Sequence, residues 1–128
     1  MPFEWKELYC LADSITALVG EDFSSEACLR SAVSRNYYAA HHCAKIFAKA
    51  NGLVFKSDNP SDYHREVIEH FSTDTPRKHL VDELKMLRQW RNSCDYDDKI
   101  DNKEFLYNNS REKTIAILTA VGITCNPL

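Results

Sequence analysis

Apolar residues return every three or four positions through most of this chain, which is the spacing of one helical face. The first such stretch covers about residues 3 to 19. Leu8, Leu11, Ala12, Ile15, Leu18 and Val19 share its stripe, and Gly20 is its stop. The second opens after "FSSE", with Ser24 or Ser25 as cap and Glu26 in the first turn, and runs to about residue 50, where Asn51-Gly52 ends it. Leu29, Val33, Ala40, Ala44 and Phe47 form its core stripe. Ala32, Ala39, Ala40, Cys43 and Ala44 are small enough to let another helix approach closely. "LVFKSDNPS" reads as a loop with a turn at Asn59-Pro60, followed by a short helix over about residues 61 to 71. Thr75 is placed to cap a fourth helix, with Pro76 at its first position and an end near Asp97. The fifth spans about residue 102 to just before Gly122, with Phe105, Ile115, Leu118 and Val121 as its inner face. Five helices on short connections predict an all-α fold, an antiparallel bundle of about five helices.

The fourth stripe contains an anomaly. Leu80, Leu84, Leu87 and Cys94 occupy one face, and Arg91 falls on that face among them. A guanidinium on a buried stripe needs partners to offset its desolvation. Arg88 lies one turn earlier on nearly the same face, and Asp95 lies one turn later, where it can pair with Arg91. The second helix offers matching polar groups. Arg30, Ser34, Tyr37 and His41 form one strip, and Ser31, Arg35, Tyr38, His42 and Lys45 form the next. Two accounts fit these strips. One is an interhelical hydrogen-bond network in which Tyr and His pack amphipathically. The other is a ligand or RNA surface, with arginines for phosphate and tyrosines for stacking.

Composition narrows the picture further. The chain has 128 residues, 44% hydrophobic and 27% charged, a single domain's worth of an ordinary globular sequence. Its three glycines disfavour a turn-rich β-protein. The net charge of −3 is not that of a generic polyanion binder, although a local basic patch, or one made by dimerisation, fits it. No apolar run reaches the length of a membrane span, and the N-terminal "MPFEWKELYC" has acidic residues without a long apolar core, unlike a signal peptide. Cys10, Cys28, Cys43, Cys94 and Cys125 are odd in number and contain no Cys-x-x-Cys pair, which predicts buried, reduced thiols in a cytoplasmic protein. His64 and His70 are not spaced as a His-Glu-x-x-His metal pair, so neither a metal nor another cofactor is expected. Neither a Gly-x-Ser-x-Gly elbow nor a glycine-rich phosphate loop is present.

"SAVSRNYYAAHHCAKIF", a helix from His64 to Phe71, and "LRQWRNSCDYDD" together resemble the HEPN domains (higher eukaryotes and prokaryotes nucleotide-binding). The likeness is to small prokaryotic members with a Ser-Arg-x-Tyr-Tyr-Ala helix and a later Arg-Asn-x-x-Asp-Tyr helix. It covers the second helix through the end of the fourth. The resemblance implies a HEPN-like bundle that forms a homodimer, with the signature helices at the two-fold axis. It also implies a module for RNA, nucleotide or partner binding. Many such domains are metal-independent endoribonucleases acting in toxin–antitoxin or antiviral defence systems. Some pair with a minimal nucleotidyltransferase as antitoxin. The family's RNase motif is Arg, four to six residues, then His. Its arginine corresponds to Arg91 and the following polar residue to Asn92. No histidine follows Arg91 here, and Tyr96 stands at the fifth position. Metal-free cleavage needs a base for the ribose 2′-OH and an acid for the leaving oxygen, work that histidine does near neutral pH. His41, His42 and His64 are the candidates to supply it. The expected catalytic group is therefore Arg91, Asn92, Tyr96 and His41. Ser34, Arg35, Tyr38, His42, His64, Arg88 and Asp95 form the expected binding surface. Besides RNA binding and RNA cleavage, a purely structural helical dimer is the third reading.

Overall fold

α2, residues Ser25–Ala50, organises the molecule: every other helix packs against it. The computed structural model describes residues 3–18 and 24–124. Around α2 lie α1 (Glu7–Thr16), α3 (Tyr63–Ser72), α4 (Leu80–Tyr96) and α5 (Lys103–Ala120), with two short 3-10 turns at Pro60–Asp62 and Thr75–Arg77. The result is an all-α helical bundle. α2 can be central because its small residues leave room on several sides: Ala32, Ala39, Ala40, Ala44 and Ala48 are fully buried. Tyr37, Val67, Phe71, Leu80, Leu84, Leu87, Ile117 and Leu118 complete the core, so the α4 leucine stripe is buried as its spacing predicts. Among the described residues no helix is long and apolar enough to cross a membrane.

Local chemistry sets several boundaries. The Ser24 hydroxyl accepts the Ala27 N–H at 3.1 Å and caps α2. At the other end Gly52 takes φ 103°, and the Leu53 N–H returns to the Ala48 carbonyl at 2.9 Å, closing the helix in the way a left-handed glycine permits. The loop that follows is held by Glu66. Its buried carboxylate accepts the N–H groups of Lys56 at 2.7 Å and Ser57 at 3.3 Å. Glu66→Gln exchanges one of these acceptor oxygens for a donor facing an N–H. It is expected to lower stability by about 1–2 kcal/mol, read by urea denaturation. Wild-type stability in Glu66→Gln would show that the loop does not depend on this anchor.

Three expectations are corrected. α1 is shorter than the pattern suggests, and Leu11 and Leu18 are 44% and 49% exposed. Ala12 is buried as its spacing predicts, and Tyr9, outside the expected stripe, faces the core beside it. The reason is polar: Asp13 takes two hydrogen bonds from Arg111 and one from Tyr107 of α5, which turns the Tyr9–Ala12–Asp13 side inward. Val19, Gly20 and Cys125 lie outside the described residues.

Thr75 does not cap α4. Asp74 precedes a 3-10 turn that contains Pro76, and α4 begins at Leu80. Arg77 pins this turn by donating to the Ala120 carbonyl at 3.1 Å while its guanidinium covers the Phe47 ring at 4.6 Å. On α5, Phe105 is 59% exposed, and the inner face is Ser110, Thr114, Ile117 and Leu118. Ser110 and Thr114 are buried against Asn36: its side-chain amide N–H donates to the Ser110 hydroxyl, and its backbone carbonyl accepts from the Thr114 hydroxyl. Such a polar seam is invisible to an apolar period.

Candidate functional site

The stripe arginine is paired through its charge and bonded through both terminal nitrogens. Arg91 Nε lies 3.0 Å from Asp95 Oδ2, although its N–H is not aimed along that line, so the contact is an ion pair without an aligned hydrogen bond. Nη1 donates to Asn92 Oδ1 at 2.6 Å, and Nη2 donates to the Tyr38 hydroxyl. The guanidinium carbon sits 5.1 Å from the Tyr38 ring and 5.9 Å from those of Tyr37 and Tyr96. Ser34 donates to the same Asp95 Oδ2 at 3.4 Å. The Arg91 side chain is only 17% exposed. Positions 91 and 96 are about 140° apart on a continuous helix. They converge here because Tyr96 is the last residue of α4 and the arginine side chain is long.

Beside this cluster α2 presents a column of aromatic rings. Tyr37 is buried, and its hydroxyl is hydrogen-bonded to Nδ1 of His64 on α3. The His41 ring stacks on His64 at 4.0 Å and 18°. His42 lies between Trp5, 3.6 Å away, and Tyr38, 6.1 Å away. Burial pushes the Tyr37 phenol above its ordinary range, so it stays protonated. Which of the two donates follows the His64 tautomer, since a protonated phenol can give or accept this bond. Burial, reinforced by neighbouring cations and imidazoles, pushes His41 down to about 2 and His42 and His64 down to about 4. All three are neutral at pH 7.

Arg88 contrasts with Arg91. It is half-buried and has no hydrogen bond or carboxylate partner among the described residues, while its charge depresses His41 and His64. It opens onto a groove of about 900 Å³ between α3 and α4, where Lys85, Asn92, Tyr96 and the apolar Ile68 and Val81 also lie. Arg65 borders the same groove but is paired with Asp62 and Glu69. Tyr96 is 74% exposed and offers a free aromatic face. A cation with no carboxylate partner among the described residues, beside an open ring, suits an oxyanion with a flat group attached.

The structure thus gathers Ser34, Tyr38, His41, His42, His64, Arg88, Arg91, Asn92, Asp95 and Tyr96 where α2, α3 and α4 meet. Arg35 is not among them: it is exposed and makes no hydrogen bond or ion pair with the described residues. Three participants go beyond the expected set. Tyr37 is hydrogen-bonded to His64, and its place on the polar strip with Ser34 and His41 was the hint of this in the sequence. Trp5 covers His42, a contact that no local pattern announces. Arg30 clamps the end of α4 by donating to the carbonyls of Cys94, Asp97 and Asp98. Among the described residues no group of three or more His, Cys, Asp or Glu side chains could hold a metal ion. The Cys94 thiol is buried in the core and pushed up to about 11 by that burial, which leaves it protonated and inert at pH 7. No protein-family model, no curated protein and no solved structure matches the chain.

Proposed function

We propose that the chain is a HEPN-like module that acts as a homodimer and binds RNA or a nucleotide at the junction of α2, α3 and α4. One observation carries this reading. Arg88 has no carboxylate partner among the described residues and lines a groove that also holds Lys85, Asn92 and the exposed Tyr96 ring, with Glu69 and Asp97 at its border. Phosphate would settle on the cation and a base on the ring. A role as the effector of a toxin–antitoxin or defence pair, with a minimal nucleotidyltransferase as antitoxin, extends the same proposal.

The test is binding of a fluorescent single-stranded RNA at several salt concentrations, with mass measured by light scattering. Arg88→Ala is expected to weaken binding about tenfold and to lower the salt slope by about one. Wild-type protein that binds no RNA, or Arg88→Ala binding as wild type does, would remove the reading.

A second reading, metal-independent endoribonuclease, is favoured by His64. This residue brings an imidazole from α3 to the neighbourhood of Arg88 and Arg91, where the Arg-x4–6-His pattern lacks one. In that case Arg91→Ala and His64→Ala both abolish RNA cleavage and expression toxicity. The closed Arg91–Asp95 pair favours the structural-dimer reading instead. RNA cleavage that persists in Arg91→Ala would support that structural role for Arg91.

A further inference from the structure

We infer that Asn92 selects the base that stacks on Tyr96. Its side-chain oxygen is taken by Arg91, so only N–H donors are left for a ligand in the groove. The base is therefore a keto base, guanine or uracil, in preference to the amino bases adenine and cytosine. The inference deepens the binding function proposed above by naming the base class, and it rests on that reading for the presence of a nucleobase in the groove.

Chemistry forces the orientation of the Asn92 amide. A guanidinium carries five N–H donors and no acceptor, so the amide must turn its oxygen toward Arg91, whose Nη1 donates to Oδ1 at 2.6 Å. Arg91 is itself held by Asp95 and by the Tyr38 hydroxyl, which keeps the oxygen occupied. The Asn92 side chain is exposed and lines the groove, and its Nδ2 makes no hydrogen bond with the described residues. Tyr96 lies one turn further along α4 and lines the same groove. Arg91 joins the two: its guanidinium carbon is 5.9 Å from the Tyr96 ring, which is otherwise 74% exposed. Side chains four residues apart on a helix are neighbours, so a base on the open face of Tyr96 brings its edge within reach of Asn92.

A donor without its acceptor reads bases one-sidedly. An asparagine with both amide atoms at liberty suits adenine, donating to N7 while accepting from the N6 amino group. Here the accepting half is spent on Arg91. Guanine presents O6 and N7 side by side, and uracil presents O4 as thymine does, so both meet the Asn92 N–H groups with acceptors. Adenine and cytosine bring an amino group to the same edge, where it faces another donor and loses its partner. Gln89 and Ser93 also line the groove. No bond to the described residues fixes their side chains, so each can offer a donor or an acceptor and neither selects.

Fluorescein-labelled hexauridylate and hexacytidylate are the probes, two pyrimidine strands of equal charge whose outer edges differ by a keto–amino exchange. Hexauridylate is expected to bind about threefold to tenfold tighter. Asn92→Ala should bring the two affinities together. Asn92→Asp keeps an oxygen for Arg91 and replaces the donor by a second oxygen, so it should reverse the preference. The readout is the ratio within each protein, so the added charge of the aspartate, which weakens both strands, cancels. Tyr96→Ala should weaken both strands, about tenfold. Equal wild-type affinities, or a preference for hexauridylate that survives Asn92→Ala, overturn the inference. A wild-type preference for hexacytidylate also overturns it and points to the carboxylates at the groove's border, Glu69 and Asp97. UMP and CMP, and IMP and AMP, then compete as free nucleotides. Displacement by UMP and IMP ahead of CMP and AMP assigns the recognition to a single nucleotide. Discrimination confined to the hexamers assigns it to a strand, and either pattern supports the role of Asn92. Binding of both strands without discrimination removes only the inference, whereas binding of neither strand removes the RNA reading and the inference with it.

Discussion

Acidification from pH 7.5 to pH 5 is expected to remove about 2–4 kcal/mol of folding stability. The cause is the histidine column. An unfolded histidine titrates near 6.5, whereas burial holds His41 at about 2 and His42 and His64 at about 4 in the folded chain. Between those values the unfolded chain binds more protons than the folded one, so stability falls as pH falls. The contribution is complete above the unfolded value and is lost on descent toward the folded ones. His41, nearly inaccessible and stacked on His64, carries the largest share. His42 and His64 are only half-buried, and solvent screening discounts their parts. Urea denaturation at a series of pH values measures the slope, and His41→Gln should flatten it. A stability that stays level from pH 7.5 to pH 5 would show that these rings are not held neutral.

Arg30→Ala is expected to destabilise the fold by about 2–3 kcal/mol and to loosen the end of α4. The last carbonyls of a helix have no partner within it. Here Arg30 supplies one: Nη1 reaches the Cys94 carbonyl at 3.1 Å and the Asp97 carbonyl at 2.5 Å, and Nη2 reaches that of Asp98 at 3.1 Å. Glu26 holds the guanidinium from behind at 3.2 Å. Arg30→Lys should recover little, because one ammonium cannot present the planar fork that spans these oxygens. Hydrogen exchange over residues 94–98 is the second measurement. It should accelerate in Arg30→Ala, since that segment carries Asp95 and Tyr96. Unchanged exchange together with a loss below about 0.5 kcal/mol would mean that water replaces the clamp.

Much of the candidate site was legible before folding. Arg91 on a leucine stripe, with Asp95 one turn on, predicted an ion pair, and the pair forms. The two polar strips of α2 were read as an interhelical network or a ligand surface, and they meet α4 through Ser34 of one and Tyr38 of the other. What the pattern misjudged was the division of labour between two neighbouring arginines. Arg91 stands where the family motif draws attention, yet its charge is used up by Asp95, Asn92 and Tyr38. Arg88 looked secondary and has no carboxylate partner among the described residues, while it lines the groove. Likewise His41 was expected to be catalytic, but it is sealed under His64, the ring hydrogen-bonded to Tyr37.

Sequence by itself determined what depends on neighbours a few residues away. The all-α class, the Ser24 cap, the stop at Gly52, the buried stripe of α4 and the i,i+4 pairing of Arg91 all follow from local period and local chemistry. Tertiary structure alone decided which polar groups satisfy one another across the bundle. Tyr37 and His64 are 27 residues apart in the chain, and Tyr38 and Arg91 are 53 apart. Their meeting depends on where α3 and α4 settle on α2, which is set by the packing of Val67, Phe71, Leu84 and Leu87 around the alanines of that helix. A charge is quenched or left free by groups that arrive through that packing, and no periodicity in the chain encodes their arrival.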